Sequence, residues 1–162
     1  MTDESFQLFS PATPEELDGV RRLFTAYSDE LSVDLGFQNF EAELLSLPGP
    51  YLAPHGALRA VRRDEQLAGC CAMRALSSVD YPNAAEMKRL YVAQEFRGFG
   101  LGRMLAEDIL DLARRAGYSF ILLDTLSDME AARGLYEDLG FVEIPPYYHN
   151  PLEGAHYLMA RL

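Results

Sequence analysis

No stretch of this 162-residue chain is apolar for long enough to span a bilayer, and its first residues, MTDESFQLF, are acidic where a secretory signal would be basic. A cytoplasmic protein with no membrane partner is the expectation. Cysteine is scarce. Cys70 and Cys71 are adjacent in a strand-like run, so their side chains point to opposite faces and staple nothing distant; buried packing is the ordinary role for such thiols. The three histidines, His55, His149 and His156, show no metal-ligand spacing with them, so no metal site is expected. Basic charge is also short: 14 Lys and Arg against 25 Asp and Glu give −11. Residues 1–50 carry −8 of that balance and the rest −3. Such a field disfavours nucleic acid as a partner; it either attracts cationic amines or serves solubility alone. There is no repeat or low-complexity tract, and the length fits a single domain over 1–162.

What is present is an alternation of strand and helix patterns. Phe6 to Phe9 reads as a strand. Thr13-Pro14-Glu15-Glu16 opens a helix with a capping hydroxyl, a proline at the first helical position and early carboxylates, and Leu17, Val20, Phe24, Tyr27 and Leu31 form its apolar stripe. A short helix starts near Asn39, with Phe40, Leu44 and Leu45 inward, and stops at Leu47-Pro48-Gly49-Pro50. Ala57–Val61 and Leu67–Leu76 form a hairpin in which Gly69 marks a bulge. The strand Glu86–Val92 follows, then a helix from Leu101 to about Ala116 with Leu101, Met104, Leu105, Ile109, Leu112 and Ala116 on one face. Tyr118–Leu123 is apolar enough for a strand buried on both faces, parallel to Glu86–Val92 through a right-handed crossover. A helix from Met129 to Leu139, capped by Ser127 or Asp128, and strands Phe141–Ile144 and His156–Leu162 complete the chain.

The central stretch is EMKRLYVAQEFRGFGLG, residues 86–102. A strand, a glycine turn and a helix start in that order make an anion site, because the first helical N–H groups have no partner within the helix and glycines let the backbone come close to a ligand. A Walker-type loop would need Lys-Ser/Thr after the last glycine, where Arg103-Met104 stands. A dinucleotide fingerprint counted from Gly98 meets Arg103 at its third glycine, although Asp124 lies about twenty residues on, where a ribose-binding acid would stand. The third reading is Arg-x-x-Gly-x-Gly, on Arg97, Gly100 and Gly102.

Arg97-Gly98-Phe99-Gly100-Leu101-Gly102 resembles motif A of the GNAT-type N-acetyltransferase superfamily, which holds the pyrophosphate of acetyl-CoA. Ala132-Arg133-Gly134-Leu135-Tyr136, leading to Gly140-Phe141, resembles its motif B, so the likeness runs continuously over residues 86–141. One departure is Met129, where the family often has a cofactor-holding asparagine seven residues before the tyrosine. The resemblance implies a mixed α/β sheet of about seven strands with helices on both faces. Acetyl-CoA would lie in the gap between the strands at 86–92 and 118–123. It implies that Leu90, Tyr91 and Val92 meet the pantetheine arm through their backbone, that Arg97, Gly98, Phe99, Gly100, Leu101 and Gly102 cradle the pyrophosphate, and that Arg103 adds charge there or is a solvated helix-face residue.

On the same footing, Tyr136 protonates the leaving thiolate, unless it is a core tyrosine satisfied locally. Glu86 is the general base, unless it is paired with a neighbour such as Lys88 or Arg89. Tyr147, Tyr148, His149 and Asn150 would line the acceptor pocket, with Tyr27 and Gln38 as further candidates from the N-terminal helices. The implied reaction is direct attack by an amine of a small molecule or peptide, without an acyl-enzyme; a homodimer is common in the superfamily, while the oligomeric state of this chain stays open. Two other classes stay open. A non-catalytic acyl-CoA-binding regulatory module would need neither Glu86 nor Tyr136, and a dinucleotide-binding oxidoreductase would prefer NAD to CoA.

Overall fold

Thr13 caps its helix as predicted: its hydroxyl accepts from the Glu16 amide at 3.2 Å while the Glu16 carboxylate accepts from the Thr13 amide at 3.1 Å. The computed structural model describes residues 5–31, 35, 39–77, 79–126, 129–148 and 154–162; His149, Asn150, Gln38 and the expected caps Ser127 and Asp128 lie outside them. The capped helix is α1 (Pro14–Glu30); α2 (Phe40–Ser46), α3 (Leu101–Arg115) and α4 (Glu130–Asp138) follow. Seven strands, β1 (Phe6–Phe9), β2 (Ala57–Arg63), β3 (Gln66–Leu76), β4 (Ala84–Val92), β5 (Phe120–Leu126), β6 (Val142–Ile144) and β7 (Ala155–Arg161), form one sheet in the order β1-β2-β3-β4-β5-β7-β6. Every pairing between them is antiparallel except β4 with β5, which α3 connects. The sheet therefore lacks the run of parallel strands on which a doubly wound dinucleotide fold is built.

Helices cover both faces. Leu101, Leu105, Ile109 and Ala113 of α3 and Tyr136 of α4 pack on Cys71, Met73, Ala85 and Met87, while Val20 and Phe24 of α1 and Phe40 of α2 pack on Leu58, Cys70 and Ala72. The two cysteines thus serve opposite cores, both fully buried. Where the boundaries differ from the sequence reading, local bonding explains it. Leu45, expected inward, is 84% exposed; at 100° per residue Phe40 and Leu44 share one face of α2 and Leu45 is turned from it. Ala116 is exposed because the buried stripe of α3 drifts onto Ala106, Leu110 and Ala113. Tyr118 does not start β5, since its amide is held by the Ala113 carbonyl at the end of α3. The bulge expected at Gly69 is present: the β2–β3 register slips between Val61 and Arg62, leaving Ala68 unmatched beside it. A Cβ on Gly69 would meet the Tyr91 carbonyl oxygen at 2.7 Å, so this glycine lets β4 approach.

The feature that positions the site is a divergence. β4 and β5 pair only from Ala84–Phe120 to Glu86–Leu122, although β4 runs on to Val92 and β5 to Leu126. Beyond Glu86 the two strands part, and a cleft opens between them.

Candidate active site

A second bulge shapes that cleft. Between the pairs Cys70–Tyr91 and Ala72–Lys88, Arg89 and Leu90 stand opposite the single residue Cys71, and Arg89 takes φ of 61°. The left-handed conformation costs a non-glycine residue roughly 1–2 kcal/mol, so the surroundings must hold it. The extra residue reverses the alternation of β4. Ala85 and Met87 before it, and Leu90 and Val92 after it, face α3, whereas Tyr91 faces α1. Glu86 and Lys88 line a cavity with Glu43 of α2, on the α1 side.

Three spaces follow β4 in order. A groove of about 410 Å³ is lined by Tyr27, Leu90, Tyr91, Val92, Arg97, Gly102, Met129 and Leu135. A throat of about 40 Å³ is bounded by Tyr27, Lys88, Leu90, Asp124, Thr125, Met129 and Tyr136. A far cavity of about 650 Å³ is lined by Glu43, Arg74, Glu86, Lys88, Tyr147 and Tyr148, among others. Tyr27, expected at the acceptor end, lies on the groove and throat.

At the outer end of the groove, Gly98 and Gly100 have φ of 95° and 76°, which a side chain would strain. Gly100 precedes α3, and among the described residues the amides of 98–103 donate to no protein group. The half-exposed Arg97 guanidinium folds back on β4 and α1, its Nε donating to the Val92 carbonyl at 3.0 Å and Nη2 to the Glu30 carboxylate at 2.8 Å. Phe99 packs on Phe6 with ring centroids 5.3 Å apart while staying partly exposed, and Leu101 is buried. Arg103 pairs with Asp138 at 2.9 Å, but both are half-exposed and the pair is weak.

In the throat, Tyr136 is buried, its ring tilted against Phe141 with centroids 5.5 Å apart, and its hydroxyl makes no hydrogen bond among the described residues. Burial pushes the phenol well above its ordinary value, so it stays protonated. Across from it, burial raises the Asp124 carboxyl against a 2.7 Å bond from the Tyr148 hydroxyl, and burial lowers the Lys88 ammonium.

In the far cavity Glu86 is 2% exposed. Arg74 Nε donates to its Oε1 at 2.8 Å and the Tyr147 hydroxyl to its Oε2 at 2.7 Å. Arg74 is its cross-strand partner in the β3–β4 ladder. Arg89, considered as a partner from sequence, is turned away by the bulge and grips Glu43 at 2.6 and 3.0 Å.

Residues 17–141 match the model of the family described as Acetyltransferase (GNAT) family. The chain belongs to that family. Acetyl-CoA is its co-substrate, and the divergent strands and glycine turn fit that ligand: a groove for an extended arm ends at unpaired amides for a diphosphate. An uncharacterized N-acetyltransferase of Schizosaccharomyces pombe is 36% identical over 98% of this chain and 96% of its own. Among solved structures, an acetyltransferase from Streptococcus agalactiae superposes with TM-score 0.80 at 19% identity, over 99% of this chain and 100% of its own. A Salmonella typhimurium protein solved with acetyl-CoA as its cofactor superposes with TM-score 0.69 at 17% identity, over 98% of this chain and 94% of its own.

Sequence reading of this GNAT chain missed Arg74, Glu43 and Tyr51 at the site and used Asp124 only for a ribose. Asp124 carried a signal, as the one acid within the apolar run of β5. Arg74 carried none, because its place opposite Glu86 depends on a register that the intervening connection hides. At Met129 the missing asparagine is replaced by packing: its sulfur accepts from the Thr125 hydroxyl at 3.8 Å and its side chain lines both groove and throat.

Proposed function

We propose that the chain transfers the acetyl group of acetyl-CoA directly to an amine of a small molecule or peptide, the amine entering through the far cavity. The observation that supports this reading is the succession of groove, throat and cavity along β4, the first two sharing Leu90 and Met129 and the last two sharing Lys88, with Tyr136 lining the narrow space. The amine nitrogen forms a bond to the thioester carbon as the C–S bond breaks, and the electron pair leaves with sulfur. Tyr136 supplies a proton to that sulfur. The proton lost by nitrogen passes to Glu86 Oε2, relayed by the Tyr147 oxygen as Tyr147 gives up its own hydrogen. Leu90–Val92 hold the arm of the co-substrate by backbone contacts, and the amides of 98–103 hold its diphosphate.

Glu86→Gln is expected to slow turnover most at low pH, where more of the amine is protonated and more help is needed to remove the proton; a wild-type pH–rate profile in that variant removes Glu86 from the mechanism. The reading as a whole is tested by a thiol-release screen of acetyl-CoA against a broad amine library, with acetylated product identified by mass. Binding of acetyl-CoA without release against any amine would leave a non-catalytic module, and thermal stabilisation by NAD rather than acetyl-CoA would leave a dinucleotide protein.

A further inference from the structure

We infer that the acceptor amine carries a carboxylate of its own, as a small amino acid does, and that Arg74 recognises it; this rests on the transfer reading above. Hydrogen-bonding capacity around the far cavity is lopsided. Among the described residues its two carboxylates, Glu43 and Glu86, are both engaged within the protein. Glu43 is held by Arg89 at 2.6 and 3.0 Å and by the Tyr51 hydroxyl at 2.8 Å, and Glu86 by Arg74 Nε at 2.8 Å and Tyr147 at 2.7 Å. Among the described residues lining the cavity, a polyamine would meet only carboxylates that already have protein partners, one of them the Glu86 that takes the amine's proton in the reaction above. Donors are a different matter. Arg74 spends only Nε on Glu86, and its terminal nitrogens bond to nothing among the described residues. The side chain is 39% exposed where it lines the cavity, so the guanidinium is half buried in the wall and half presented to the space.

The presentation is also built rather than accidental. Glu86 fixes the guanidinium through Nε, Tyr147 fixes Glu86, and Tyr147 is wedged against Tyr148 and Tyr157 with ring centroids 5.3 and 5.4 Å apart. A planar fork held at its third nitrogen matches a carboxylate, which accepts two parallel N–H bonds. Lys88 lines the same cavity between Arg74 and the throat, which adds positive potential on the path from the carboxylate subsite to the thioester. The chain's overall −11 thus does not describe its acceptor cavity.

The test compares matched acceptors. Amino acids with the amine at different distances from the carboxylate are assayed for thiol release beside their own amides, with spermidine as the cationic reference and dipeptides to separate free amino acids from peptides. Wild type is expected to prefer the acid over its amide by roughly tenfold to a hundredfold in kcat/KM, mainly through KM. In Arg74→Gln, which keeps one donor toward Glu86 but removes the fork, the acid-to-amide ratio is expected to collapse toward one. Because each ratio is taken within one enzyme, partial unfolding does not mimic the result. Equal rates for acid and amide in wild type, a preference for spermidine, or an unchanged ratio in Arg74→Gln overturns the inference and leaves acetyl transfer standing. A second measurement needs no turnover: calorimetric titration of N-acetylated amino acids with CoA present should show binding to wild type, weakened at least tenfold in Arg74→Gln. Such binding without thiol release from any amine would keep the carboxylate subsite and sink the transfer reading, whereas equal binding to both proteins would sink the subsite.

Discussion

Replacing Arg89 with methionine is expected to lower the unfolding free energy by about 3–5 kcal/mol, read from urea or thermal denaturation. The side chains of Arg89 and Glu43 are only 2% and 9% exposed, and their two bonds, 2.6 and 3.0 Å, form a fork. Tyr51 adds a third donor to Glu43 at 2.8 Å, and the guanidinium lies 5.2 Å from the Phe40 ring centroid and 5.8 Å from that of Tyr27. Without Arg89 the Glu43 carboxylate stays buried with one hydroxyl for company. Most of the loss comes from that stranded charge rather than from the pair's net worth, so Arg89→Met/Glu43→Leu is expected to recover more than half of it. Equal losses in the single and double variants would assign the effect to packing at the bulge instead. The consequence reaches the site, because this pair ties α2, which lines the far cavity, to the bulge of β4.

The same pair makes stability depend on pH in a defined direction. Burial acts to raise the Glu43 carboxyl, but the hydrogen bonds and charge of Arg89, with Tyr51, outweigh it and hold the group below the ordinary carboxylate value. A depressed folded pKa means that the stabilisation is full above the unfolded value of about 4.3 and is lost as pH falls through the lower folded one. The stability gap between wild type and Glu43→Gln should therefore be widest near neutrality and shrink below about pH 4. A gap independent of pH would show that the carboxylate is not what Arg89 needs.

These two residues also show what sequence alone could carry. Local signals were legible: the Thr13 capping box, the glycines before α3 whose positive φ only glycine adopts readily, and the three- and four-residue steps of the buried helical faces. Each depends on residues within a turn or two of one another. The resemblance of motif A and motif B extended that reach to the order of the elements and to the cleft. What escaped depends on partners far apart in the chain. Arg89 lies 46 residues from Glu43, and its left-handed backbone is marked by no glycine or asparagine. Arg74 meets Glu86 only because β3 and β4 pair in one register out of several that the connection between them allows. The acid at 124 was visible, but its role in receiving the Tyr148 hydroxyl depends on where the chain beyond β6 places Tyr148, 24 residues away.

Tyr136→Phe should reduce kcat by at least tenfold, within reach of the roughly 10²–10⁴-fold usual for a general acid, while the affinity for acetyl-CoA changes little. Tyr136 lines the throat and not the groove assigned above to the co-substrate, so its hydroxyl is not expected to contribute to binding there. It is also not a settled core hydroxyl: among the described residues it donates to nothing, and burial pushes it well above the ordinary phenol value. A thiolate expelled into a throat of about 40 Å³ is poorly solvated, which raises its proton affinity and makes a phenol a competent donor beside it. The loss should therefore depend on the leaving group. With an aryl thioester, whose thiol is acidic enough to depart as the anion, Tyr136→Phe should lose far less rate than with acetyl-CoA, because the proton is no longer needed. Equal losses with both donors would mean that the ring positions the thioester without protonating it, and unchanged turnover with acetyl-CoA would place the proton source elsewhere in the throat, where Tyr27, Lys88 and Asp124 also carry titratable protons.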